Sequence, residues 1–266
     1  MPCYAWLTDP HFNFLSQKKV IEFFLTLDCE NLDGVFITGD ISTGTQVARH
    51  LKQLSQIFRK PIYFVLGNHD FYRSSFSLVE NQMVGLTKNR SNLHYITNSE
   101  PISLSPDTAL IGHDGWYDAG WRSPLTNLVF IWDWFFISEF RALFSNDDRL
   151  EFSRKRAEAA AEVVRMRLRK AFENHSTVMF LTHFPPWPEA DPCSHSLLER
   201  FWHPYNSSRV MAKMLEAEML QRPEKKLIVL AGHTHDDSYV RISDNIEIRV
   251  GGAGRGNCEI KDFIIL

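Results

Sequence analysis

Two apolar runs with similar endings frame the segment that decides the fold: Val35-Phe36-Ile37-Thr38-Gly39-Asp40 and Pro61-Ile62-Tyr63-Phe64-Val65-Leu66-Gly67-Asn68-His69-Asp70. Each is short, rich in β-branched and aromatic residues and stopped by glycine, the pattern of a buried strand entering a loop. Between them, Thr45 to Phe58 places Val47, Leu51, Leu54 and Phe58 at three- and four-residue spacing. That spacing predicts a helix, closed by Pro61. Upstream, Tyr4 to Thr8 reads as a strand, and Lys18 to Leu27 as a helix burying Val20, Ile21, Phe24, Leu25 and Leu27. Strand, helix, strand, helix, strand in succession requires crossover connections between parallel strands, so the fold class is α/β.

Further strands are expected at Ala109–Gly112, Thr177–Thr182 and Leu227–Ala231. Helices are expected from about Asp147 or Asp148 to His175, and from Ser207 to Leu220. Three late runs, Tyr239–Ile242, Ile246–Val250 and Ile260–Leu266, have no helix between them and predict an antiparallel end to the sheet system. No repeat or linker interrupts the 266 residues, which read as a single domain with an insertion at Gly115 to Asn146. Ten aromatic residues fall between Trp116 and Phe144, far above the 13% of the whole chain. Trp132, Phe136, Phe140 and Phe144 are four apart and predict one helical face. The plain expectation is that this face packs on the core. A cap over a site, an oligomer interface or a membrane-touching surface are the other uses of such a face.

Composition excludes several classes. Apolar residues at 44% and charged residues at 23% describe a globular chain, and a net charge of −3 gives no basic footprint for nucleic acid. Met1-Pro2-Cys3-Tyr4 lacks the basic start of a secretory signal. The apolar window Leu128–Ile137 is broken by Asp133 and falls short of the ~20 residues of a membrane span. Cys3, Cys29, Cys193 and Cys258 form no CxxC pair, which suits reduced thiols. The expectation is a cytoplasmic protein.

Chemistry concentrates in five segments, each behind an expected strand: Asp9-Pro10-His11, Gly39-Asp40, Gly67-Asn68-His69-Asp70, Thr182-His183 and Gly232-His233-Thr234-His235. Strand ends are where α/β sheets place their sites. In extended backbone, residues two apart point the same way, so Asp9 with His11 and His233 with His235 each suggest a local claw. Asp9, Asp40, Asn68, His11, His183, His233 and His235 make seven donors. Seven overfill one tetrahedral metal and suit two. Mixed oxygen and nitrogen donors fit Mn, Fe, Zn, Co or Ni. Two such ions can activate hydroxide and stabilise charge during displacement at phosphorus.

The ordered series DxH, GD, GNHD, H and GHxH resembles the calcineurin-like metallophosphoesterases and runs from Asp9 to His235. The resemblance implies two mixed β-sheets packed face to face with flanking helices. It also implies Asp9, His11 and His235 on one divalent or trivalent metal, Asn68, His183 and His233 on a second, and Asp40 bridging. His69 is implied to contact the phosphate and assist the leaving oxygen, oriented by Asp70. The implied activity is hydrolysis of a small organic or nucleotide phosphate mono- or diester by a metal-bridging hydroxide. Gly39-Asp40-Ile41-Ser42-Thr43-Gly44 departs from the GDxVDRG of the protein serine/threonine phosphatases, which disfavours that activity. A competing reading is a non-catalytic metal-binding scaffold with the same fold, its interaction surface at the aromatic insertion. A nuclease ranks below both, for want of a basic groove.

Other features have plainer readings. His50, His94, His175, His195 and His203 lie outside the motifs and are read as structural or exposed. His113-Asp114-Gly115, between an expected strand and the aromatic insertion, reads as a turn, with reach toward substrate as the alternative. The basic residues from Arg154 to Lys170 are interspersed with Glu151, Glu158 and Glu162, which suggests a solvated, ion-paired helix face. The proline-rich stretch from Phe184 to Tyr205 reads as a stiff connector or a pocket wall. Arg255, in Gly251 to Gly256, is a candidate phosphate contact.

Overall fold

In the computed structural model, strands β1 (Cys3–Leu7), β2 (Gly34–Thr38) and β3 (Ile62–Val65) run parallel, with α1 (Gln17–Cys29) and α2 (Gln46–Ile57) as their crossovers. The structure describes residues 1–121, 131–191, 203–254 and 258–266. After β3, α3 (Phe76–Lys88) leads to β4 (Leu93–Tyr95), also parallel. A second sheet is built from β5 (Ile102–Ser103), β6 (Thr108–Gly112), β7 (Thr177–Leu181), β8 (Lys226–Ala231), β9 (Ser238–Ser243) and β10 (Ile246–Val250). Its order is β5-β6-β7-β8-β10-β9, with parallel pairing from β6 to β10 and antiparallel pairing at both edges.

Side-chain alternation along the strands explains the layering. Tyr4, Trp6, Phe36, Tyr63 and Val65 of the first sheet pack with Leu110, Met179, Leu181 and Leu230 of the second. Their neighbours in sequence, such as Ala5, Leu7, Ile37 and Phe64, face the opposite way, onto α1, α2 and α3. On the far side, Ala109, Val178, Phe180 and Val229 meet α6 (Asn146–Phe172) and α7 (Arg209–Leu220). A period of two in strands buried on both faces therefore yields helix, sheet, sheet and helix layers.

Several sequence expectations change. The antiparallel end is present as the β9–β10 pair, but β11 (Asp262–Ile265) crosses to the first sheet and pairs with β1. Neither α3 nor β4 has a counterpart in the sequence reading. α3 buries only Phe76, Val79 and Met83, carries Gly85 and starts at an ordinary Ser75 cap, so its periodic signal is faint.

The single aromatic helix does not form. The segment makes two short turns, α4 (Asp133–Phe136) and α5 (Ser138–Arg141), parted by Ile137 in extended conformation. Ile137 is drawn into a parallel bridge with Ser74, and that bridge breaks the helical period. The four rings consequently do not share a face: Phe140 is fully buried, Trp132 is 58% exposed and Phe144 is 100% exposed. Positions 122–130 of the insertion, Cys193, His195 and Arg255 lie outside the described residues.

The basic helix α6 is also more structural than expected. Arg154 and Lys155 pair with Glu151, and Arg165 with Glu162, as a solvated face should. Arg156, however, sits 3.6 Å over the Phe76 ring and bonds Glu80. Arg167 donates to the carbonyls of Ile96, Thr97 and Gly112, tying α6 to the sheet. No helix among the described residues is long and apolar enough to cross a membrane.

Candidate metal centre

The loops after β1, β2, β3, β7 and β8 meet at one point between the sheet ends. All seven donors named from the sequence gather there. His235 Nε2 lies 3.4 Å from Asp9 Oδ1, and His11 Nε2 lies 3.4 Å from His235 Nε2 and 3.6 Å from Asp40 Oδ2. One ligand atom from each of Asp9, His11, Asp40 and His235 falls within 4.8 Å of the others. Beside them, Asn68 Oδ1 lies 3.1 Å from His183 Nε2 and 3.2 Å from His233 Nδ1. His183 Nε2 is 3.4 Å from Asp40 Oδ1, so the Asp40 carboxylate stands between the two groups.

The claws arise differently from the extended pairs anticipated. Asp9, His11, Asp40, His233 and His235 all have positive φ, between 41° and 74°. Such backbone is uncommon for residues with a Cβ and costs on the order of 1–3 kcal/mol each. It is held in place by the surrounding loops: Asp9 N–H donates to Gly39 O, and His11 N–H to Asp40 O. Close approach does the rest. A Cβ on Gly67 would run into the Asp40 carboxylate, and one on Gly232 into Thr8 and Asp9.

Buried carboxylates brace these turns. Asp70 accepts from the backbone N–H groups of Ser42 (2.8 Å), Gly67 (2.9 Å) and Ile41 (3.2 Å). Among the described residues it makes no hydrogen bond to His69, so the expected orienting contact is replaced by a clamp between the Asp40 and Asn68 loops. The carboxylate is aimed at the Ile41, Ser42 and Gly67 N–H groups rather than at the His69 ring. Asp114 plays a similar part behind β6, accepting from Leu66 N–H, Thr97 and Tyr95.

His69 lines the opening. Its side chain is 22% exposed, its Nε2 is 3.9 Å from Asp40 Oδ2, and its ring packs on Tyr72 with centroids 4.3 Å apart. Burial, reinforced by the neighbouring His11 and His183, pushes its pKa down to about 3. Burial likewise lowers His183, and lowers His233 well below the ordinary range. These rings are therefore neutral at pH 7, with lone pairs available. Burial, together with the negative charges of Asp9 and Asp70, pushes Asp40 well above the carboxylate range. Burial acts in the same sense on Asp9. Hydrogen bonds from His235 and Thr8 outweigh it and hold Asp9 low.

The donor set fits metal. Buried carboxylates and neutral imidazoles direct lone pairs at one another, an arrangement that cations between them relieve. The ion pairs of Asp9 and Asp40 among the described residues are with histidines rather than lysine or arginine.

Asp133 and Tyr72, not among the candidate site residues read from the sequence, stand against Asn68. Its Nδ2 donates to Asp133 Oδ1 at 2.8 Å and to Tyr72 Oη at 3.1 Å. The signal existed: Asp133 is an acid inside an otherwise apolar run, a position that requires a partner once buried.

Strand ends of two facing sheets, converging carboxylates and imidazoles in a buried cluster, define a metal-binding α/β/β/α protein. Residues 4–237 match the model of the calcineurin-like phosphoesterases, and the chain belongs to that family. Among solved structures it is similar to a phosphopantetheinyl hydrolase from Mycobacterium tuberculosis, at 16% identity and a TM-score of 0.68, over 94% of this chain and 89% of that one. It is also similar to a dimetal phosphatase from Danio rerio, at 14% identity and a TM-score of 0.55, over 94% of this chain and 87% of that one. At these identities both speak for the fold. No curated protein matches the sequence. Family and buried cluster together support divalent-metal binding and a metal-dependent hydrolase.

Proposed function

We propose that the chain hydrolyses small organic or nucleotide phosphate esters at a two-metal centre. The observation that carries this reading is the convergence of Asp9, His11, Asp40, Asn68, His183, His233 and His235 at the ends of five strands. In this reading Asp9, His11 and His235 hold one ion and Asn68, His183 and His233 the other, with Asp40 shared. Bound there, Mn, Fe, Zn, Co or Ni would supply Lewis acidity toward phosphoryl oxygens and activate water.

The chain's own residues do the rest. The loop backbone fixes the donors before substrate arrives, which limits reorganisation during reaction. His69, neutral and at the opening, offers an N–H to a phosphoryl or leaving oxygen. An approaching phosphate raises its proton affinity, because opposite charge favours the imidazolium.

Substrate class is suggested by a run of rings leading away from His69. Tyr72 packs on His69, Phe136 lies 5.2 Å from Tyr72, and Trp132 stacks 5.6 Å from Phe136 at 14°. Trp132 and Phe135 are 58% and 46% exposed. A leaving group with an aromatic or apolar part would find contact there. The same exposed rings favour, as a second reading, a scaffold whose partner docks on the insertion.

The test is metal-stripped protein reconstituted with each ion and assayed on paired chromogenic phosphate mono- and diesters. Metal-dependent turnover that Asp40→Asn abolishes and His69→Ala reduces is expected. Two ions bound without turnover on either ester class, or on nucleotide esters, would overturn the enzyme reading in favour of the scaffold.

A further inference from the structure

An asparagine side chain has two ends of nearly equal shape, and only its oxygen can ligate a metal. Something must decide which end of Asn68 faces His183 and His233. A carboxylate accepts and does not donate, so Asp133 Oδ1, 2.8 Å away, requires the Asn68 nitrogen on its side. Tyr72 donates its hydroxyl proton to the same Asp133 oxygen at 2.7 Å. Its oxygen is thereby left to accept from Asn68 Nδ2 as well, at 3.1 Å. The amide nitrogen is thus held against Asp133 and Tyr72, and Oδ1 is turned toward the two imidazoles. Asp133 is 4% exposed and Tyr72 9%, so water competes little for these bonds.

Asp133 comes from the insertion rather than from the strands that carry the site. Its approach is fixed by a short seam: Arg73 N–H donates to Phe136 O at 2.7 Å, and Ser138 N–H to Ser74 O at 2.9 Å. The Ser138 hydroxyl adds a bond to the same Ser74 carbonyl at 2.7 Å. Ser74 and Ile137 bridge in parallel between them. The interruption of the aromatic helix at Ile137 is what allows this seam.

We propose that Asp133, with Tyr72, is a positioning residue that fixes the Asn68 amide with its oxygen toward the metal, and that the insertion serves to deliver it. This rests on the reading of Asn68 as a ligand. Partners behind a metal ligand commonly contribute 10–100-fold to affinity.

The experiment is titration of metal-stripped full-length protein with Zn or Mn, reading ions bound per chain by elemental analysis and affinity by calorimetry. Apo-protein melting is followed in parallel. Wild type is expected to bind two ions. Asp133→Leu should weaken one of them by ~10–100-fold and leave the other unchanged. Asp133→Asn, which keeps both the shape and an oxygen acceptor, should recover much of the loss. Tyr72→Phe should give a smaller loss of the same ion, and it decides the matter if Asp133→Leu does not fold. Wild-type affinity for both ions in Tyr72→Phe and in any folded Asp133→Leu would overturn the proposal. Failure of the underlying reading looks different: wild type binding fewer than two ions, or Asn68→Ala binding both unchanged.

Discussion

His183 donates from Nδ1 to the carbonyl oxygen of Thr38 at 2.8 Å, linking the loop after β7 to the last residue of β2 in the other sheet. A carbonyl only accepts, so the proton is on Nδ1 and the Nε2 lone pair faces Asn68 and Asp40. The tautomer suited to ligation is therefore set by backbone. His183→Ala is expected to lower metal affinity by at least ~100-fold, since it removes a ligand and not merely its support. Metal retained after dialysis against buffered Zn measures this. Unchanged retention would count against His183 as a ligand.

Asp70 predicts a stability effect. Replacing it by Asn turns an amide N–H toward a backbone donor among Ile41, Ser42 and Gly67. Leaving such groups unmatched in a buried setting costs about 1–3 kcal/mol each. Urea denaturation of Asp70→Asn should show a lower midpoint with an unchanged slope. A midpoint equal to wild type would show that the clamp contributes little.

Gly67→Ala tests the close approach of the Asn68 loop to Asp40. The added methyl meets the Asp40 carboxylate, itself fixed by His69 N–H at 2.8 Å. Overpacking of this kind costs about 1–3 kcal/mol, and here the displaced atom is a candidate ligand. Metal binding should fall by a larger factor than folding stability does. Proportionate losses would mean general destabilisation instead.

His50 gives a pH test away from the donor cluster. It is buried on α2 against Ser42 Oγ (3.0 Å) and the Phe12 ring. Burial, with a contribution from Arg49, pushes its pKa down from 6.5 to about 4. Because the folded state resists protonation, its contribution is fully present above pH 6.5 and is lost as pH falls toward 4. The shift corresponds to at most about 3 kcal/mol. Chemical denaturation of wild type and His50→Gln between pH 7.5 and 4 should show wild type losing more stability. Parallel profiles would remove His50 as the source.

Legibility followed the range of the interaction. Strands β1, β2 and β3 and the helices α1 and α2 were readable because period and punctuation lie within consecutive residues. α3 was not, since three buried positions and an internal glycine leave little amphipathic signal. The aromatic spacing from Trp132 to Phe144 misled, because a bridge to Ser74, more than 60 positions earlier, overrode the local helical period. The donor types were legible as a motif series, but the backbone that presents them was not extended.

By itself the sequence determined the α/β class, the strand ends and which side chains could ligate a metal, all properties of residue type and short spacing. Only the tertiary structure decided that Asp9 would meet the His233 backbone across 224 positions, and that Asp133 would reach Asn68 across 65. The physical reason is that left-handed turns and buried carboxylates are stable only where distant loops supply their hydrogen bonds. Those bonds exist only once the two sheets have packed.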